Sequence, residues 1–242
     1  MTTDPRQIYF TAIAIKHGAM AGIDTLLTFI LLIGLIQLAW FSAMLHMRGI
    51  GPGTITAAVP PLLAIWVLCW PLYANPEATL AGIAIIALAL LTCGKMDAYW
   101  MRALRSSWSV APHGLWPLGL FAAGLAIACA WFILVPPVGF GVGLSLCLAT
   151  SAANMLDMAY KLRAKSETNQ EQTWPGHVAF IAITALACAW AMQVYAKIGL
   201  ADFLGVTTLA AIATAVARML APKIWHPPLI ALVLGGMLWL GL

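Results

Sequence analysis

The chain has 242 residues, 63% of them hydrophobic and only 8% charged, with a formal net charge of +4. A soluble domain carries about 25% charged residues, so this composition excludes a fold that solvates its own surface in water. With so few charges, the placement of each basic residue matters more than their sum, and no nucleic-acid partner is expected.

The apolar residues fall into long runs separated by short polar loops, the pattern of serial bilayer crossings. No polar stretch is long enough to fold as a soluble domain, so residues 1–242 are read as a single integral membrane domain. Residues 1–22 open it. Tyr9–Ile15 is apolar and Lys16-His17 interrupts it, which predicts an interfacial helix on the outer leaflet. The alternative is that the first helix starts near Tyr9. No cleavable signal peptide is expected, because the first strong apolar run is too long for one.

A crossing helix needs about 20 apolar residues. The runs at 23–45, 54–73, 78–94, 115–135, 137–156, 178–197, 203–220 and 224–242 meet or approach that length. They predict an all-α, polytopic transmembrane helix bundle of about eight spans. The third run is short. The fourth and fifth meet at Val135-Pro136-Pro137-Val138, where proline breaks the helix ladder. The fifth carries Gly139, Gly141 and Gly143 and is expected at the bundle centre. The last opens on Pro227-Pro228, and a count of seven spans plus a re-entrant or interfacial segment is the alternative there.

Eight spans sort the basic residues cleanly. Arg48, Lys95, Arg102, Arg105, Lys161, Arg163, Lys165, Arg218 and Lys223 fall on one side, and Arg6, Lys16 and Lys197 on the other. The positive-inside rule then puts both termini on the non-cytoplasmic face. The compact chain and this bias point to a bacterial inner membrane.

Four loops or span ends on the basic side each hold an arginine (Arg48, Arg102, Arg163, Arg218) and a histidine (His46, His113, His177, His226). Ala98–Ala103 and Ala159–Ala164 share an A-Y-x-x-R-A pattern. These features suggest repeated helical hairpins that display an arginine and a histidine at the cytoplasmic surface. The orientation rule and the interfacial aromatic belt account for the same residues without a repeat.

Polar groups within a bilayer are costly and mark candidate sites. Asp24 sits at the outer end of the first span, either as a helix-start residue or, with His17, as a proton or cation site. Gln37 and Gln193 are candidates for interhelical hydrogen bonds, and Asn154 heads a polar stripe on the fifth span with Ser145, Thr150 and Ser151. Asp24, Gln37, Asn154 and Gln193, with Arg105 and Lys161, form the candidate substrate-binding set. On the basic side, Asp97, Arg102, Asp157, Arg163 and His177 form the candidate catalytic set of an interfacial enzyme, in which arginines hold a lipid phosphate and an aspartate acts as base. Solvated loops facing anionic lipid are the alternative.

The five cysteines lie inside spans and form no C-x-x-C pair, so apolar packing is their expected role. No H-x-x-x-H or H-E-x-x-H pair occurs, so neither a metal site nor a cofactor is expected. The absence of a G-x-x-x-x-G-K-[ST] loop argues against ATP as the direct driver.

Three function classes remain, and whether the protein is an enzyme stays open among them. A transporter or permease for a neutral or apolar solute comes first, given scarce mid-membrane charge and glycine- and proline-marked spans. A membrane-embedded enzyme acting on a lipid or isoprenoid at the cytoplasmic interface is second. A structural or assembly subunit of a membrane complex is third. The partners expected are membrane lipids and either a membrane-protein partner or further copies of the chain.

Overall fold

The computed structural model describes residues 21–73, 75–92, 102, 116–164, 173–196 and 199–241. They build a helical bundle without a strand among them. Helix α1 runs Ala21–Met47. The second crossing is broken into α2 (Pro52–Ala58), α3 (Pro60–Leu68) and a 3-10 turn, Trp70–Leu72. Helix α4 covers Pro76–Thr92 and α5 Trp116–Leu134. The fifth crossing joins α6 (Pro136–Leu144), a π turn (Ser145–Ala149) and α7 (Thr150–Ala164). Then come α8 (Trp174–Ala196), α9 (Leu200–Leu220), a 3-10 turn (Lys223–Trp225) and α10 (His226–Gly241). Seven of these crossings are long and apolar enough to span a bilayer, and Thr79–Leu88 of α4 is a shorter apolar helix. The chain is a polytopic α-helical membrane protein.

The breaks follow proline. Pro52, Pro60 and Pro136 each open a helix at its first residue, where a missing N–H costs nothing. Val135 lies extended between α5 and α6, as the residue before a proline prefers. The last crossing, Lys223–Gly241, is long enough to traverse, so the re-entrant alternative is not needed. The fifth crossing continues well past the expected end at 156, to Ala164. Lys161 and Arg163 lie in its last turn, where cations complement the helix dipole. Hydropathy misses that extension because the added turns are polar.

The fifth crossing is the hub. It packs against α2, α3, α5, α8 and α10, and its window is the most buried of the seven at 72%. Gly139, Gly141 and Gly143 are all buried there, as expected for a central span. Gly143 has a specific reason. A Cβ at that position would lie 2.9 Å from Trp70 Cη2 and 3.0 Å from Val67 Cγ1. Trp70 therefore lies against the bare backbone of α6, and its ring also packs on Trp66 and Phe132, with centroids 5.2 and 5.3 Å away.

Two of the three hydroxyls expected to line the fifth span bond their own helix, while Ser151 Oγ is buried without a partner among the described residues. Ser145 Oγ donates to Gly141 O at 2.7 Å, and Thr150 Oγ1 donates to Leu146 O. Such bonds to the carbonyl four residues earlier remove a donor from the bilayer without marking a ligand site. Residues 1–20 lie outside the described residues, so the interfacial helix expected there does too.

Replacing Gly143 by leucine is expected to wedge Trp70 off α6 and to cost about 1–3 kcal/mol as overpacking. Gly236→Ala, at a glycine with open space around its Cβ position, is expected to change stability little. Thermal unfolding of the two purified variants in one detergent checks this contrast.

Candidate functional site

The polar residues of highest interest meet at the end of the bundle that carries Lys161, Arg163 and Lys223, here the basic end. Asp157 is buried there on α7. Its Oδ1 accepts two hydrogen bonds from Thr173, one from the backbone N–H at 2.8 Å and one from Oγ1 at 2.6 Å. Thr173 immediately precedes α8, so the carboxylate of one helix ties down the entry of the next. The exposed N–H groups and dipole of that entry favour an anion. Gly176 makes the approach feasible, because a Cβ on it would overlap the Asp157 carboxylate.

Beside this junction lies Arg218, in the last turn of α9 and only 3% exposed. Its guanidinium carbon stands 5.1 Å from the centroid of the Phe180 ring on α8, a cation–π geometry. Its Nη1 is buried and has no hydrogen-bond partner among the described residues. His177, in the first turn of α8, is close enough to feel the charges of both Arg218 and Asp157. Its Nδ1 is also buried without a partner among the described residues. A cation, an imidazole and a carboxylate thus gather between α7, α8 and α9. On α10, His226 turns inward instead, and its Nε2 donates to Ala221 O at 3.0 Å, holding the carbonyl end of α9.

Of the expected catalytic set, the structure brings Asp157 and His177 together. Arg163 is exposed one to two turns beyond Asp157, and Arg102 is exposed. Asp97 and Arg105 lie outside the described residues. The expected substrate-binding set is dispersed. Asp24 is buried at the opposite end of the bundle, where its Oδ2 accepts the Asn75 N–H at 2.7 Å. Asn75 immediately precedes α4, so Asp24 serves a neighbouring helix entry as Asp157 does. Asn154 and Lys161 are half-buried on α7, and Gln193 is exposed near the end of α8. Gln37 is exposed on α1, in an open groove with Gly34, Trp40 and Phe41.

Arg218 is the residue that sequence reasoning passed over. The sequence groups it with Arg48, Arg102 and Arg163 as an arginine displayed at the surface, and the structure separates it from them. Arg48, Arg102 and Arg163 are exposed, whereas Arg218 is buried. The available signal was the spacing Thr207–Ala211–Thr214–Arg218. Steps of four, three and four put all of them on one helix face, and all of them are buried.

The chain matches no protein-family model, and neither a curated protein nor a solved structure shows significant similarity to it. The chemistry of the site is therefore argued from its own side chains.

Asp157→Ala is expected to destabilise the protein by about 1–3 kcal/mol, because it strands the buried Thr173 N–H. Asp157→Asn keeps an acceptor oxygen and should lose less. Gly176→Ala should lose stability as well, although it removes no hydrogen-bonding group. Denaturation midpoints of the three variants, with hydrogen exchange at the Thr173 amide, check that order.

Proposed function

We propose that this membrane protein acts on a lipid-like amphiphile, whose anionic phosphate headgroup is received between α7, α8 and α9 at the cytoplasmic end of the bundle. The observation that carries the reading is Arg218, a buried guanidinium whose Nη1 meets no acceptor among the described residues. An unmatched buried donor on a charged group is expensive. A phosphate oxygen relieves that cost with a charge-assisted hydrogen bond, which the planar guanidinium is well shaped to give.

Depth supports a lipid rather than a free solute. Arg218 sits in the last turn of a crossing, the level at which a headgroup meets the acyl region. Phe180 holds one side of the guanidinium. Asp157 is committed to Thr173 through Oδ1, so its role is to position the entry of α8 and with it His177. His177, with Nδ1 open, is the group placed to give or take a proton at a bound phosphate. The positive-inside rule assigns this end to the cytoplasm, because Lys161, Arg163, Arg218 and Lys223 all gather there. A buried cation favours this reading over carriage of a neutral solute.

Transport of the same amphiphile is the second reading. It draws on the π turn at Ser145–Ala149 in the middle of the hub crossing. Such turns loosen a helix locally and recur at functional positions.

The test uses protein in nanodiscs that contain phosphatidic acid and phosphatidylcholine, with retained lipid counted by native mass spectrometry. Wild-type protein is expected to retain phosphatidic acid selectively. Arg218→Gln should weaken that selectivity about tenfold, the scale of one charge-assisted hydrogen bond, while Arg163→Gln changes it little. Equal selectivity in Arg218→Gln and wild type would remove the basis of the proposal.

A further inference from the structure

Helix α1 is the least integrated crossing. Its window is 17% buried, against 33–72% for the other six, and it packs on α4 and α2. Bare apolar residues on such a helix need only lipid. Gln37 is different. The span runs Leu26–Met47, which puts Gln37 at its midpoint, and the side chain is exposed. No other described residue hydrogen-bonds its amide. At that depth neither water nor a headgroup reaches it, and a carboxamide left unmatched in hydrocarbon is strongly unfavourable.

Its neighbours form a seam. Ile30, Gly34, Gln37 and Phe41 are spaced by four, three and four residues, and all four are exposed. That alternation is the heptad repeat by which two helices interlock at a shallow angle. Gly34 has nothing within 4 Å of its Cβ position, so a second backbone can approach one turn from the amide. Gln37 and Gly34 lie in an open groove of about 660 Å³ that Trp40 and Phe41 also line.

We infer that a second copy of this chain docks along α1, and that the two Gln37 side chains pair across a two-fold axis. The chemistry selects this occupant. A carboxamide offers both a donor and an acceptor, so two of them satisfy each other reciprocally. A symmetric interface brings a residue near the axis against its own copy. Both copies share one orientation in the membrane, so the two α1 helices run parallel, a direction that the heptad seam accommodates. A single polar residue within such a seam fixes register and copy number.

Single-molecule photobleaching of fluorescently labelled protein in liposomes, at decreasing protein-to-lipid ratio, tests this. Wild-type protein is expected to bleach in two steps. Gln37→Leu should weaken the dimer about tenfold, and Gly34→Ile should do the same by blocking close approach. Gln37→Asn should retain the dimer, because it keeps the amide. Gln193→Leu, on α8, should leave it unchanged. Because Gln37 faces outward, thermal unfolding of the Gln37→Leu monomer should match that of wild type. One-step bleaching of wild-type protein at every density overturns the inference, and so does a dimer indifferent to both Gln37→Leu and Gly34→Ile.

Discussion

Hydrocarbon offers the peptide group no hydrogen-bonding partner, and the rest of this structure follows from that. Within a helix every N–H and C=O finds a mate, but the first and last turns do not. The polar side chains of a crossing helix are therefore needed first at helix ends. Asp24 accepts the N–H just before α4, Asp157 accepts the N–H just before α8, and His226 donates to the carbonyl that closes α9. Each ties together two helices that the chain delivers separately. Asp24 and Asp157 stand at opposite ends of the bundle yet perform the same task, so a buried carboxylate in this protein does not by itself mark a reactive site.

Between its ends the bundle is held by close packing. Apolar side chains gain nothing by leaving lipid for one another, so association depends on fit. The fifth crossing contributes Gly143 against Trp70, and beside it a chain of edge-on and tilted rings runs across three other crossings from Trp66 through Trp70 and Phe132 to Tyr195. The π turn lies within the fifth crossing. At its first residue, Ser145 Oγ contacts Cys188 Sγ at 3.6 Å while still bonding its own helix. Ser145 and Thr150 of the polar stripe on that crossing are thus turned back upon its own backbone.

The crossings were legible in the sequence because hydropathy measures the quantity that the bilayer selects. The Pro136-Pro137 turn and the central place of the glycine-bearing crossing were legible for equally local reasons. The site was legible only in part. Asp157 and His177 stood out as polar residues at span ends, but so did Asp97, Arg102 and Arg163, and no spacing ranks residues that lie on different helices. Arg218 was hidden by the orientation rule itself, which explains any arginine at a cytoplasmic end and so removes the motive to ask which one is buried. Gln37 was expected to glue two helices of one bundle. Its depth was readable from the span, but its outward direction depends on how α1 leans on α4 and α2, and that is a tertiary fact.

Among the polar groups that the described residues leave unmatched, the Arg218 guanidinium and the Gln37 carboxamide lie at different depths, and depth separates what each requires. A guanidinium in the last turn of α9 stands where headgroups lie, and its charge calls for an anion. A carboxamide halfway along α1 stands where no headgroup reaches, and its neutrality calls for another amide-like group carried into the membrane by a helix. Exchanging the two assignments fails on both counts. A midplane amide cannot bind a phosphate held at the interface, and a helix that supplied a carboxylate to Arg218 would have to bury a second charge. The positions are separate as well, since Arg218 lies among α7, α8 and α9 while α1 leans on α4 and α2. Docking of a second copy along α1 therefore engages helices other than those around Arg218, and the two requirements are met without competition.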